Sequence, residues 1–352
     1  MIKKRVLFLI LVGILAFLFV PDEALDSYRY YQSADFNFIG YSSWEIIVKS
    51  FNENFDFIYY VLFSLLKNYG LPYQLVTGIS VIFFFNEALK FIDLNILKYN
   101  YIVQKELKLI AQTFALISVS YIVIFAISRN LTAFVFLFIA INSHMKQKKL
   151  KSIIFLTLAS FTHFGVILYI ILFLLGYYLS DRIFKADYLK KIIIILGIIL
   201  GMISRSWITY IFGLASLLPF FNSYGEYLKY LDILLANVFT AGLSPYDKIM
   251  FFTTGIVMLF GLYHIKVYTP TLKVAFVLFI WLMISIGFSV MFTQRTVMFL
   301  VPFQGLIPIA FFAQKNSKLS IYIFLSLILI SFMAFVINVY SYRDLWVFNF
   351  PS

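Results

Sequence analysis

The arginines of this chain are placed where chemistry, rather than orientation, would use them. Apart from Arg5 and Arg182, they are Arg29, Arg129, Arg205, Arg295 and Arg343, each at the predicted outer end of an apolar segment. Most lysines gather at the opposite ends, as in Lys3-Lys4, Lys146, Lys148, Lys149 and Lys151, and Lys190-Lys191. Lysine already satisfies the positive-inside rule, so the outer arginines need a second explanation. A guanidinium fork grips phosphate oxygens in pairs, which a single ammonium does not.

Arg129 stands in Ser128-Arg129-Asn130 and Arg295 in Thr293-Gln294-Arg295-Thr296, with few carboxylates nearby. Each is expected at an outer turn between an exiting and a returning helix, the returning helix adding its N-terminal potential. Snorkelling to headgroups is the plain alternative. Two arginines in equivalent settings favour an anion. His163 interrupts a long apolar segment, where an ionisable group is costly, and either bonds a carbonyl as a neutral core residue or accepts a proton. The run Pro21-Asp22-Glu23-Ala24-Leu25-Asp26-Ser27-Tyr28-Arg29 adds Asp26 and Arg29. These two form either a surface ion pair or a base and a further phosphate contact. Tyr28, Tyr30, Tyr31, Tyr41 and Trp44 read first as an interfacial aromatic belt. His144 and His264 look like boundary residues, and Glu87 with Lys90 three residues on looks like a local ion pair.

The elements that must position these groups are membrane helices. Apolar residues make up 62% of the 352 and charged residues 12%, leaving room only for loops outside the bilayer. The formal net charge of +12 is the lysine excess of one face, so nucleic acid is not an expected partner. No cysteine is present and no histidine pair has metal spacing, so no disulfide, thiolate chemistry, metal or other cofactor is expected.

The expected fold is all-α, a single polytopic transmembrane domain over residues 1–352 with about eleven spans. Residues 6–20 form a signal anchor with its N-terminus inside. Residues 21–71 are a first outer loop holding a short interfacial helix at 55–66. Spans follow at 73–91, 109–127 and 131–143. Residues 152–179 lie between two inner-type basic clusters, which predicts a hairpin of two short helices breaking near Thr162-His163-Phe164-Gly165. Each limb is then only about 16–20 Å long. Residues 192–204 cross next, and 205–247 form a second outer loop with an amphipathic stretch at 207–221. Spans at 249–265, 272–293, 297–313 and 319–340 complete the chain.

This layout resembles the EpsG-like branch of the Wzy-type O-antigen and exopolysaccharide polymerases. The matching pieces are Asp26-Ser27-Tyr28-Arg29-Tyr30, Arg129-Asn130-Leu131-Thr132-Ala133, Ala159-Ser160-Phe161-Thr162-His163, and Gln294-Arg295-Thr296-Val297-Met298-Phe299 ahead of Pro302 and Pro308. Gly165 stands where the resemblance would place a serine. The resemblance implies a GT-C-like, multi-pass enzyme of the bacterial inner membrane with its site facing the periplasm. Its substrate would be undecaprenyl-pyrophosphate-linked oligosaccharide, its chemistry metal-independent, and a chain-length regulator protein a possible partner besides membrane lipid. Arg129, Arg295 and Arg29 would hold the pyrophosphate, and His163 or Asp26 would take the acceptor proton. Two other readings compete. One is a transferase using a polyprenyl-monophosphate sugar, carried by Asp22, Glu23 and Asp26. The other is a flippase for lipid-linked oligosaccharide, which would show internal symmetry.

Overall fold

A computed structural model describes residues 2–19, 41–53, 57–72, 74–185, 188–201, 245–288, 290–314 and 316–341. These residues form helices and, among them, no strand. In chain order they are α1 (Ile2–Leu18), α2 (Ser43–Glu53), α3 (Phe57–Asn68), α4 (Gln74–Lys98), α5 (Lys105–Ile117), α6 (Tyr121–Ala126), α7 (Ser128–Met145), α8 (Lys149–Thr162), α9 (Val166–Tyr178) and α10 (Asp181–Lys185). Then come α11 (188–201), α12 (Pro245–His264), α13 (Pro270–Phe288), α14 (Val290–Ala313) and α15 (Lys318–Ser341). Gln74–Lys98, Phe292–Ala313 and Lys318–Ser341 are long and apolar enough to cross a membrane. Apolar stretches of α1, α3, α9, α12 and α13 are shorter. Helix suits such sequences because it satisfies every backbone donor and acceptor within the segment.

The chain packs as two compact units. The first comprises Met1–Ile102, Val119–Ile171 and Phe335–Ser352, and the second Val103–Ser118 and Leu172–Ala334. In the first, α1 lies antiparallel to α4, with Arg5 bonded to Asp93 at 3.2 Å and Phe8 edge-on to Phe85. They come close at Gly13 and Gly78, where a Cβ added to Gly78 would stand 3.0 Å from the Gly13 carbonyl oxygen. Small residues let two helix backbones meet in this way. Helix α7 runs parallel to α4, held by Ser80 to Thr132 at 2.9 Å, Phe84 against Phe138, and Asn142 donating to the Glu87 carboxylate at 2.9 Å. Glu87 also takes the expected ion pair from Lys90, at 2.6 Å.

In the second unit, α14 is the buried helix, packed by α5, α12 and α13. Gln304 at its middle accepts the Ser118 hydroxyl, and Thr254 donates to the Ser118 carbonyl at 3.4 Å. Lys273 pairs with Asp181 and donates to the Leu179 carbonyl at 2.9 Å. This lysine is what holds the Asp181 carboxyl below its ordinary value.

Several expected boundaries shift. The span at 109–127 is not one helix. It breaks at Ser118-Val119-Ser120, all fully buried, because the Ser118 hydroxyl bonds the Ala115 carbonyl and Gln304 in place of continued helix. Helix α2 lies in the first loop, unforeseen. Its start is a capping box: the Glu45 carboxylate accepts from the Ser42 N–H at 2.8 Å and the Ser42 hydroxyl at 2.7 Å. Those two bonds lower the Glu45 pKa. The hairpin expected within 152–179 is present, its limbs being α8 and α9. The amphipathic stretch at 207–221 and nearly all of the second loop lie outside the described residues.

Candidate functional site

The break between α8 and α9 places His163. The helix ends at Thr162, and His163 takes an extended conformation (φ −158°, ψ 112°). Its N–H donates to the Ala159 carbonyl at 3.1 Å, and its carbonyl accepts from Val166 at 3.0 Å. Three residues therefore suffice to turn the chain. Gly165 leaves room for the ring in this position, because a Cβ there would lie 2.7 Å from Nε2 of His163. The imidazole folds back over its own turn and is only 7% exposed.

Helices α7 and α8 form an antiparallel hairpin whose register two contacts fix. The Ser152 hydroxyl donates to the Ala140 carbonyl at 2.9 Å, and the rings of Phe136 and Phe155 lie 5.9 Å apart. Carried on at equal rise along both helices, that register brings His163 level with Ser128 and Arg129. Tyr169 of α9 meets Phe134 edge-on at 5.1 Å, so α9 turns back alongside α7 instead of running on.

Arg129 is not in the turn preceding a helix, as expected; the turn is Ile127, and Arg129 lies in the first turn of α7. It is half-buried, with its Nε out of solvent contact. No side chain caps α7, and its first turn holds no acidic residue. The opening N–H groups point out of the helix end beside the guanidinium, a combination that favours an anion. The hydroxyl of Ser128 is instead taken by the fully buried Tyr59 of α3, and α3 also packs Phe57 on Phe161 at 5.3 Å. Asn130 is buried, and both polar atoms of its amide have no hydrogen-bond partner. A buried amide of that kind costs roughly 1–3 kcal/mol and is rarely kept without a role. Tyr59 and Ser128 were not singled out from sequence. Ser128, beside Arg129, was the available signal.

Arg295 belongs to the second unit. It too sits inside a helix, in the second turn of α14, and is 8% exposed, where a turn at Gln294-Arg295 was expected. That first turn also lacks an acidic residue. No Asp or Glu occurs at residues 107–180 or 248–343, so neither arginine has a carboxylate on its own stretch of chain. Asp26 and Arg29, with Arg205 and Arg343, lie outside the described residues.

The sequence matches the family described as the EpsG family over residues 2–351. The chain belongs to the EpsG family. No curated protein and no solved structure matches it. Family membership points to a polymerase-like glycosyltransferase function in exopolysaccharide or O-antigen assembly, on a lipid-linked oligosaccharide. With the apolar helices it also indicates a membrane protein. Among the described residues no group of three His, Asp or Glu could hold a metal ion.

Proposed function

We propose that this EpsG-family protein polymerises oligosaccharide repeats at the outer face of the bacterial inner membrane. The whole chain acts as one transmembrane domain of about eleven spans, its lysine-rich ends cytoplasmic and the His163–Arg129 end periplasmic. A growing glycan leaves undecaprenyl pyrophosphate for the non-reducing terminal sugar of a new lipid-linked repeat. In that step the anomeric carbon–oxygen bond to the pyrophosphate breaks and its electron pair stays on the pyrophosphate. The acceptor hydroxyl oxygen bonds the anomeric carbon, and its proton passes to a base.

Arg129 and Arg295 meet the charge that develops on the leaving group, with Arg29 as a third contact. Donors aimed at such charge are worth about 100- to 1,000-fold in rate each. His163 or Asp26 receives the proton. The observation that carries the reading is the α7–α8 register, which brings an imidazole level with a guanidinium at a helix start free of acidic residues. It supports reading these two groups as a proton acceptor and an anion ligand at one depth.

The test is reconstitution of the purified protein with purified lipid-linked repeats, with and without chelator. Ladders of increasing length are expected from the native protein in both arms. Arg129→Ala, Arg295→Ala and His163→Ala should each leave single repeats at unchanged protein abundance. Normal ladders from both arginine variants would refute the pyrophosphate role, and loss of ladders on chelation would refute metal independence.

A further inference from the structure

We propose that a groove between α3, α4, α7 and α8 seats the head-proximal isoprene units of the substrate's polyprenyl chain, with the diphosphate at Arg129. This rests on the reading of the protein as acting on a polyprenyl-diphosphate-linked glycan. The groove encloses about 550 Å³ and is lined almost wholly by apolar side chains, among them Leu66, Ile79, Phe83, Val135, Ile139 and Phe155. Only two residues of its lining, Ser80 and Thr132, bear short-chain hydroxyls. They are bonded to each other at 2.9 Å, and Thr132 also donates to the Ser128 carbonyl at 2.9 Å. With its polar atoms satisfied in this way, the floor offers hydrocarbon to a ligand.

Position singles out the occupant. Helix α7 lines the groove with Thr132, Val135, Phe136 and Ile139, a stripe at helical spacing. Extended back one turn, the same stripe reaches Arg129. A cation therefore stands at the head of an apolar trough that runs about 10 Å down α7. A lipid with an anionic head and one chain matches both features. The trough's volume falls within the roughly 300–1,000 Å³ typical of small-molecule sites. It suits a stretch of one chain, whereas a diacyl phospholipid brings two. Ile79 and Phe83 are each nearly half exposed, at 47% and 48%, so the trough opens sideways and the long remainder of the carrier can stay in the bilayer.

The full chain in nanodiscs of zwitterionic lipid is irradiated with a polyprenyl diphosphate carrying a diazirine on its second isoprene unit. Labelling is expected on peptides containing Ile79, Phe83, Val135 or Ile139. Unlabelled polyprenyl diphosphate should compete, and a tenfold excess of phosphatidylglycerol should not. Ile79→Trp and Phe83→Trp narrow the trough from its exposed wall, sparing the packed core, and should each cut labelling at least fivefold. Arg129→Ala should weaken labelling by the diphosphate probe and leave that by the matching alcohol unchanged. Labels confined to other helices, or equal competition by phosphatidylglycerol, would overturn the assignment. Polymerisation measured on the same preparation separates the two readings. Native protein that builds ladders but labels elsewhere removes the groove alone. Native protein that labels the groove but builds no ladder upholds the lipid site and removes the polymerase reading.

Discussion

The two ends of the first unit treat positive charge in opposite ways. At the lysine-rich end, Arg5 and Lys90 each meet acceptors in the protein. Arg5 bonds Asp93 at 3.2 Å and the Asn86 carbonyl at 2.8 Å, and Lys90 holds Glu87 at 2.6 Å. Asn142 closes that group by donating to both the Glu87 carboxylate and its carbonyl. At the other end, α6 to α9 contain no Asp or Glu at all. Arg129 there shares its level with His163 and its helix turn with the unsatisfied amide of Asn130. Arg5 and Lys90 are paired from within and serve packing. Arg129 stands on helices that carry no carboxylate of their own, beside a buried polar group, a setting that suits a charged substrate.

Substitutions can break or sharpen this contrast. The largest effect is expected from Arg129→Ala, with polymer formation falling about 100- to 1,000-fold while thermal stability stays within experimental scatter. Arg129→Lys should recover little, since an ammonium lacks the paired fork. A variant that unfolds instead would place Arg129 with Arg5 as a packing residue. Next is Gly165→Ala, which forces the His163 ring aside by adding an atom where only 2.7 Å is free. The expected loss is about 10- to 100-fold in turnover, read with helicity unchanged by circular dichroism. Wild-type turnover would show that the ring's position is immaterial.

Glu87→Ala should do the reverse. Taking the carboxylate away from Lys90 and Asn142, which keeps only the backbone carbonyl as acceptor, costs about 1–3 kcal/mol, seen as a lower melting temperature with normal activity per folded molecule. The smallest effect concerns Asp181. Its pKa is depressed by Lys273, so the stabilisation is present above the usual carboxylate range and is lost as pH falls through the depressed value. Asp181→Asn should flatten that acid limb of the melting curve and leave neutral pH nearly untouched. An unchanged limb would assign it to other carboxylates.

The contrast between the ends was partly legible in the sequence. Basic clusters flanking residues 152–179 demanded a chain that returns to its starting side, and the α8–α9 hairpin is that return. Hydropathy cannot register the break at Ser118–Ser120, because two small hydroxyl residues scarcely alter the mean of an apolar window. The break depends on Gln304, far away in sequence, offering an acceptor. The start of α7 was misplaced by one turn for a related reason. Arginine and asparagine look like loop residues until Tyr59 claims Ser128 and the helix begins without a cap. The short α2 escaped notice because its stop and start signals lie within a polar, aromatic loop. Asp26 and Arg29, prominent in the sequence, fall outside the described residues and stay part of the proposal.

The shortness of the hairpin has a consequence for fidelity. Its limbs of 14 and 13 residues reach about 20 Å, roughly 10 Å less than the hydrocarbon thickness. In the proposed orientation and role, the imidazole would work beneath the headgroup plane, where water is scarce and a sugar hydroxyl delivered by its own lipid would be the abundant nucleophile. Premature hydrolysis, which would end a strand, would then be disfavoured by depth alone. Donor offered without acceptor should decay slowly in bilayers of ordinary thickness and faster in thin ones.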